Sequence, residues 1–189
     1  KHISICYVMT DFTATNLAGW QEQPQLKAYA ASGKLDFALF DAEHDQSLTL
    51  INRGETLTPA NLKNPLAVIA NYVFDSLTHD LFRFEVAQLY DSRVILSAPD
   101  GWDNWTHPHL FEHLEIGFRH QPIEGDAYDD PAYNELLEGY RLALQQTHLL
   151  LPVGALACLR LLRHFANDRL LVIAGDKGDH LLTELEYRA

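Results

Sequence analysis

Hydrophobic positions along this chain fall into short runs, and four of those runs stop on a polar residue. Ile3 to Thr10 ends at Asp11, Leu35 to Phe40 at Asp41, Pro65 to Ala70 at Asn71, and Leu170 to Ala174 at Gly175-Asp176. Runs this short, apolar on both alternating faces, predict strands of a parallel sheet covered by helices. In open α/β sheets the ligand sits outside the carboxyl ends of the strands. The pattern therefore sets three carboxylates, Asp11, Asp41 and Asp176, and one carboxamide, Asn71, where a ligand would be read. No Gly-rich turn follows any of the four runs, so none is built to cradle a phosphate or a cofactor tail.

The stretches between the runs predict the helices. Thr13 to Asn16 offers an N-cap, Leu17 begins a helix, Pro24 interrupts it, Gln25 to Ala31 resumes it, and Gly33 is placed as the residue after its C-cap. Ala42 to Asn64 is looser, with a short strand at Leu48–Ile51. Phe82 to Leu89 and Ser92 to Leu96 read as an antiparallel β-hairpin around Tyr90-Asp91. Ser97 to Asp130, rich in Pro, Gly, Asp and His, reads as loop with one helix-like patch at His109–Gly117. Asp130-Pro131 opens a long helical region in which Tyr133, Leu136, Leu137, Tyr140 and Leu144 recur at helical spacing. A second helix runs from Val153 to Phe165 with Pro152 at its first turn, and a last helix begins at Asp179. The fold expected is a single α/β domain, Rossmann-like, with a mostly parallel sheet, flanking helices and a β-hairpin insertion.

Composition narrows the partners. The 189 residues carry a formal charge of −12, with 14 Lys and Arg against 26 Asp and Glu. That balance argues against nucleic acid, whose binding depends on Lys and Arg at phosphates, and against an anionic membrane surface. The longest apolar stretch, Leu149 to Leu159, is shorter than the ~20 residues needed to span a bilayer. Cys6 and Cys158 lie far apart within apolar runs and read as unpaired thiols, which fits a reducing cytoplasm. Both ends read as cut, so the chain is expected to be a piece of a longer polypeptide.

The strand ends suggest specific chemistry. An acid at the end of a strand can accept two hydrogen bonds from a ribose diol, and Asp11 is placed for that. An acid at the next strand end can accept from an adenine amino group, and Asp41 is placed for that. Either acid also suits a helix N-cap or a turn. The segment Val68-Ile-Ala-Asn-Tyr-Val-Phe-Asp-Ser-Leu77 resembles the fourth-strand motif of class I S-adenosylmethionine-dependent methyltransferases, most closely the MidA-like branch. There an Asn-Glu-x-x-Asp-Ala-Leu-Pro pattern follows an Ile-Ile-Ala run. Tyr72 replaces the family's acid after Asn71, and Thr78 replaces its Pro. Tyr7 to Asp11 resembles the second strand, Phe37 to Asp41 the third, and Leu170 to Gly178 the fifth with its turn. The helical stretch from Tyr133 to Ala166 resembles the region between strands four and five.

The resemblance implies a cofactor, S-adenosyl-L-methionine, and methyl transfer to an acceptor such as a protein side chain. It puts Asp11 on the ribose, Asp41 with Ala42 on the adenine side, and Asn71 and Asp75 nearest the methyl and the acceptor, with Asn71 also touching the cofactor. The family's first strand and its Gly-x-Gly turn have no counterpart here and would lie upstream of Lys1, so cofactor binding is expected only with that segment. In the family's sheet this strand is central, between the second and the fourth. Without it, the sheet is expected to show a gap or a changed pairing.

Other readings compete. A non-catalytic Rossmann-like module used for protein interaction is the runner-up. His107, His109 and His113 with Glu112 suggest a metal-dependent hydrolase, but the His-Glu-x-x-His order is not present and no third ligand is defined. Gly175-Asp-Lys-Gly178 lacks the Gly-rich run and the Lys-Ser/Thr pair of a phosphate loop. Trp20, Trp102 and Trp105 read as core or lid aromatics.

Overall fold

The computed structural model describes residues 5–98, 106–178 and 181–186. Ile3, Ser4, Trp102, Trp105 and Asp179 lie outside them. The fold is mixed α/β with small sheets, and it divides into two compact units. One comprises Lys1–Thr78 and Val153–Asp176, the other His79–Pro152 and Lys177–Ala189.

The first unit holds all four apolar runs as strands. β1 (Tyr7–Asp11) pairs in parallel with β2 (Leu35–Leu39), Asp11 opposite Leu39. α1 (Ala14–Glu22) and α2 (Pro24–Ala31) connect them. The α2 terminus is a Schellman motif: Gly33, at φ 71°, donates to Ala30 O and Lys34 to Tyr29 O. Leu17, Leu35 and Phe37 are buried together, with Met9, Trp20, Leu26 and Ala30 packed around them. Trp20 is thus a core aromatic.

A hairpin of β3 (Leu48–Leu50) and β4 (Glu55–Leu57) lies beside β2, with Ile51 N–H donating to Phe37 O at 2.8 Å. Its anchor is Asp36, which is fully buried. Asp36 Oδ1 accepts from the backbone N–H of Phe37 at 2.8 Å and of Asn52 at 2.9 Å, and Oδ2 lies 3.6 Å from Arg53 Nε. A charged residue inside a strand otherwise buried on both faces survives only with such partners.

β5 (Leu66–Asn71) and β10 (Leu170–Gly175) form the second parallel pair, Asn71 opposite Gly175. α5 (Val153–Phe165) precedes β10 and packs against the 3-10 turn Phe74–Ser76. The turn between α5 and β10 uses two left-handed residues, Asn167 and Asp168. Among the described residues the two parallel pairs are not hydrogen-bonded to each other, so the parallel strands do not form one continuous sheet.

The second unit is built on a four-stranded antiparallel sheet, the largest among the described residues. β6 (Asp80–Glu85) and β7 (Gln88–Ser97) form the expected hairpin, but its turn is Val86-Ala87 and not Tyr90-Asp91. Both turn residues have positive φ, 43° and 66°. Such turns normally use Asn and Gly, so Val-Ala carries no turn signal. Tyr90 and Asp91 instead sit inside β7.

α3 (Leu110–His113) falls within the helix-like patch expected at His109–Gly117, but the stretch otherwise read as loop also contains β8 (Glu115–Pro122), which pairs along β7. The long helical stretch is also split. α4 (Pro131–Ala143) is followed by β9 (Gln146–Leu151), the partner of β6, before α5 begins. Asp130 caps α4 through Ala132 N–H at 2.9 Å. Phe82, Phe84, Leu137, Leu144, Leu149 and Leu151 are buried. Tyr128 Oη donates to Asp80 Oδ2 at 2.5 Å; burial, followed by that carboxylate, pushes the phenol pKa well above its ordinary value. α6 (Leu182–Leu185) is tied to β9, with Thr147 Oγ1 donating to Leu185 O and Glu186 accepting from Gln145 and Gln146 N–H. Among the described residues no helix is long and apolar enough to cross a membrane.

Candidate functional site

The polar strand ends of the first unit form the candidate site. Asp11 closes β1 and turns its carboxylate onto the start of α1. Oδ1 accepts from Thr13 N–H at 2.7 Å and Thr13 Oγ1 at 2.6 Å, and Oδ2 accepts from Asn16 Nδ2 at 2.9 Å. Partial burial works to raise its pKa, but these hydrogen bonds outweigh it and hold the carboxyl below its ordinary value. Asp11, half-buried, therefore braces the turn between β1 and α1, two residues ahead of the N-cap Thr13, at the strand end the sequence indicated.

Asp41 follows β2 and organises a tight turn. Its Oδ1 accepts from Glu43 N–H at 2.9 Å, and its Oδ2 lies 3.1 Å from His44 Nδ1. Its own N–H donates to Asp45 Oδ2 at 2.8 Å. The Glu43 amide, then His44, hold the Asp41 carboxyl below its ordinary range; in return Asp41 holds the His44 imidazole above its own. Ala42 is half-buried within this turn.

Asn71 ends β5 and is exposed. Its Oδ1 lies over Gly175 on the paired strand, where a Cβ would come within 3.1 Å of it. Tyr72 follows with φ 52°, a left-handed conformation uncommon for a bulky residue, and donates its N–H to Gly175 O at 2.9 Å. Asp75 is exposed in the first turn of the 3-10 segment. Asp176 Oδ2 accepts from Phe74 N–H at 3.3 Å and so ties the end of β10 to the turn after β5.

One residue links the two groups. Glu43 Oε1 accepts from Thr78 N–H at 3.0 Å, which holds the loop after β2 against the turn after β5. The carboxyl ends of both parallel pairs thus meet through their connecting turns. Sequence reading passed over Glu43, whose signal is its position within Asp41-Ala-Glu-His-Asp45, directly after a strand. Two cavities lie elsewhere. One of about 460 Å³ is lined by Ala132, Leu136, Gly139, Tyr140 and Leu182, and one of about 330 Å³ sits at the amino ends of β5 and β10.

The histidine patch forms no assembled centre in the described residues. His109 Nδ1 lies 2.8 Å from Glu112 Oε1, and His109 N–H donates to His107 Nδ1 at 3.1 Å. No group of three or more His, Cys, Asp or Glu arranged to hold a metal occurs among the described residues. Cys6 and Cys158 are free thiols, the first half-buried and the second buried. In the second unit His120 Nδ1 lies 2.7 Å from Ser92 Oγ, and its ring centroid is 5.3 Å from that of His148. Desolvation, then the charges of Arg83 and His148, keep the His120 pKa below its ordinary value.

No family model, curated protein or solved structure matches the chain.

Proposed function

We propose that the first unit is the cofactor-binding part of a Rossmann-like class I methyltransferase of the MidA-like type, acting with S-adenosyl-L-methionine on a protein side chain. The observation that carries this reading is the pairing of the parallel strands. In the doubly wound order the third strand lies beside the second, the second beside the first, the first beside the fourth and the fourth beside the fifth. Taking the first strand out of that order leaves two parallel pairs, third with second and fourth with fifth. The pairs β2–β1 and β5–β10 match that remainder. The free edges of β1 and β5 among the described residues then have a natural occupant, one further parallel strand ending in a Gly-x-Gly turn.

In this reading Asp11 holds the ribose and Asp41 with Ala42 borders the adenine. Asn71 borders the sulfonium, and Asp75 faces the acceptor. Methyl transfer asks little covalent chemistry of the protein: the two reactants are held in line and water is excluded. The test begins with the DNA ahead of the Lys1 codon. A strand-like run ending in Gly-x-Gly supports the reading, and its absence overturns it. The protein made from the whole reading frame should then bind S-adenosylmethionine.

A second reading, a non-catalytic interaction module, draws on a different observation. The Asp11 and Asp41 carboxylates already take hydrogen bonds from their own loops. A whole-frame protein with the Gly-x-Gly turn but without affinity for the cofactor would favour it.

A further inference from the structure

The turn after β2 is closed on itself. Asp41 O accepts from Asp45 N–H at 3.0 Å, and the Asp41 side chain binds both Glu43 N–H and His44. The Glu43 side chain leaves this rigid turn and reaches Thr78 N–H at 3.0 Å. Thr78 O in turn accepts from Gly154 N–H, at the start of α5, at 2.8 Å. Three segments thus converge on one carboxylate: the turn after β2, the turn after β5, and the first residues of α5.

Gly154 shows how tightly they meet. A Cβ there would lie 2.4 Å from Glu43 Oε1, 2.7 Å from Thr78 N and 3.0 Å from Leu77 Cβ. Two of those atoms belong to the Glu43–Thr78 contact itself, so α5 leaves out a side chain where that contact passes. The same carboxylate reaches into the helix: burial first, then the charge of Glu43, pushes the Cys158 thiol above its ordinary pKa.

We propose that Glu43 is a positioning residue of the strand-end site. Its carboxylate latches the turn carrying Asp41 and Ala42 to the turn that follows Asn71 and carries Asp75. This rests on the reading of that edge as the cofactor cleft. The latch has a clear mechanical task. Asp41 and Asn71 follow strands of different parallel pairs, and among the described residues no ladder of backbone hydrogen bonds joins those pairs. A side-chain tether then sets the spacing between the two walls. A charged acceptor on a backbone N–H suits this, being shorter and stronger than a neutral pair.

The test uses two conservative variants of the whole-frame protein. Glu43→Asp keeps the charge but shortens the reach by one methylene. Glu43→Gln gives up the charge but keeps an acceptor oxygen at full reach. Amide exchange at Thr78 reads the latch, and calorimetric titration with S-adenosylmethionine reads the site. Glu43→Asp should speed Thr78 exchange and weaken cofactor binding by about tenfold each, the scale of one hydrogen bond to a charged group. Glu43→Gln should restore both to within about threefold, a rescue that general loss of stability would not give. Unchanged Thr78 exchange in Glu43→Asp would overturn the latch. Faster exchange with unchanged affinity would overturn the positioning role. A wild-type protein that binds no cofactor defeats the cofactor reading instead, a result distinct from both.

Discussion

Asp11→Ala removes one carboxylate that serves three donors at the entry to α1: Thr13 N–H at 2.7 Å, Thr13 Oγ1 at 2.6 Å and Asn16 Nδ2 at 2.9 Å. A hydrogen bond to a charged group is worth about 1.5–3 kcal/mol where it is desolvated. The acceptor here is charged, which strengthens the bonds, but it is only partly buried, which limits the gain. The expected loss is therefore about 1–2 kcal/mol. For a chain of this size each 1 kcal/mol moves Tm by about 2–4 °C, so the variant should melt about 2–8 °C lower in scanning calorimetry. Asp11→Asn keeps an acceptor oxygen and should recover at least half of the difference. The pH dependence has a definite sign. The folded-state pKa lies below the ordinary 3.8, so the contribution is fully present above that value and fades as the pH falls through the lower folded value. Wild type and Asp11→Ala should thus converge in strong acid. Equal stability at pH 7 would show that the three hydrogen bonds contribute nothing and would refute the bracing role. In the whole-frame protein the same change should also weaken S-adenosylmethionine binding by about 1.5–3 kcal/mol, and unchanged affinity there would leave Asp11 with the structural role alone.

Other outcomes follow from the same geometry. Asp36→Ala strands the buried N–H of Phe37 and frees that of Asn52, and should cost about 1–3 kcal/mol in urea unfolding; a loss below about 0.5 kcal/mol would mean the β3–β4 hairpin does not depend on that carboxylate. Tyr128→Phe removes the donor to Asp80 and should destabilise the second unit by about 1–3 kcal/mol, read as faster amide exchange in β6 and α4. His44 should titrate by NMR above its ordinary 6.5, and Asp41→Asn should return it toward that value. Its raised pKa means that its share of the turn's stability is present below pH 6.5 and is lost as the pH rises through the folded value. Asn71→Ala in the whole-frame protein should reduce methyl transfer with little change in Tm; full activity with a clear loss of stability would place Asn71 in the fold and not in the cleft.

What the sequence makes legible depends on how local the cause is. The four apolar runs, the Pro24 break, the Gly33 terminus and the helix from Val153 to Phe165 rest on short-range patterning, and each lies where the pattern puts it. The second unit was legible only in part. Val86-Ala87 turns the chain without turn residues, because the paired strands on either side impose the positive φ values. β8 and β9 were hidden for a related reason. Gln146 to Leu151 reads as part of a helix until β6 supplies its backbone partners, and Glu115 to Pro122 reads as loop until β7 does. The candidate site shows the same division. The strand-end positions of Asp11, Asp41 and Asn71 follow from the runs that precede them. The Glu43–Thr78 contact spans 35 residues of sequence, and no local pattern announces it.

Calorimetric titration of S-adenosylmethionine into two proteins, the 189-residue chain and the product of its whole reading frame, tests the cofactor site most directly. If β1–β2 and β5–β10 flank a central strand with a Gly-x-Gly turn, the whole-frame protein binds with micromolar affinity and the 189-residue chain binds weakly or not at all. Micromolar binding by the 189-residue chain itself, or no binding by the whole-frame protein, would contradict it.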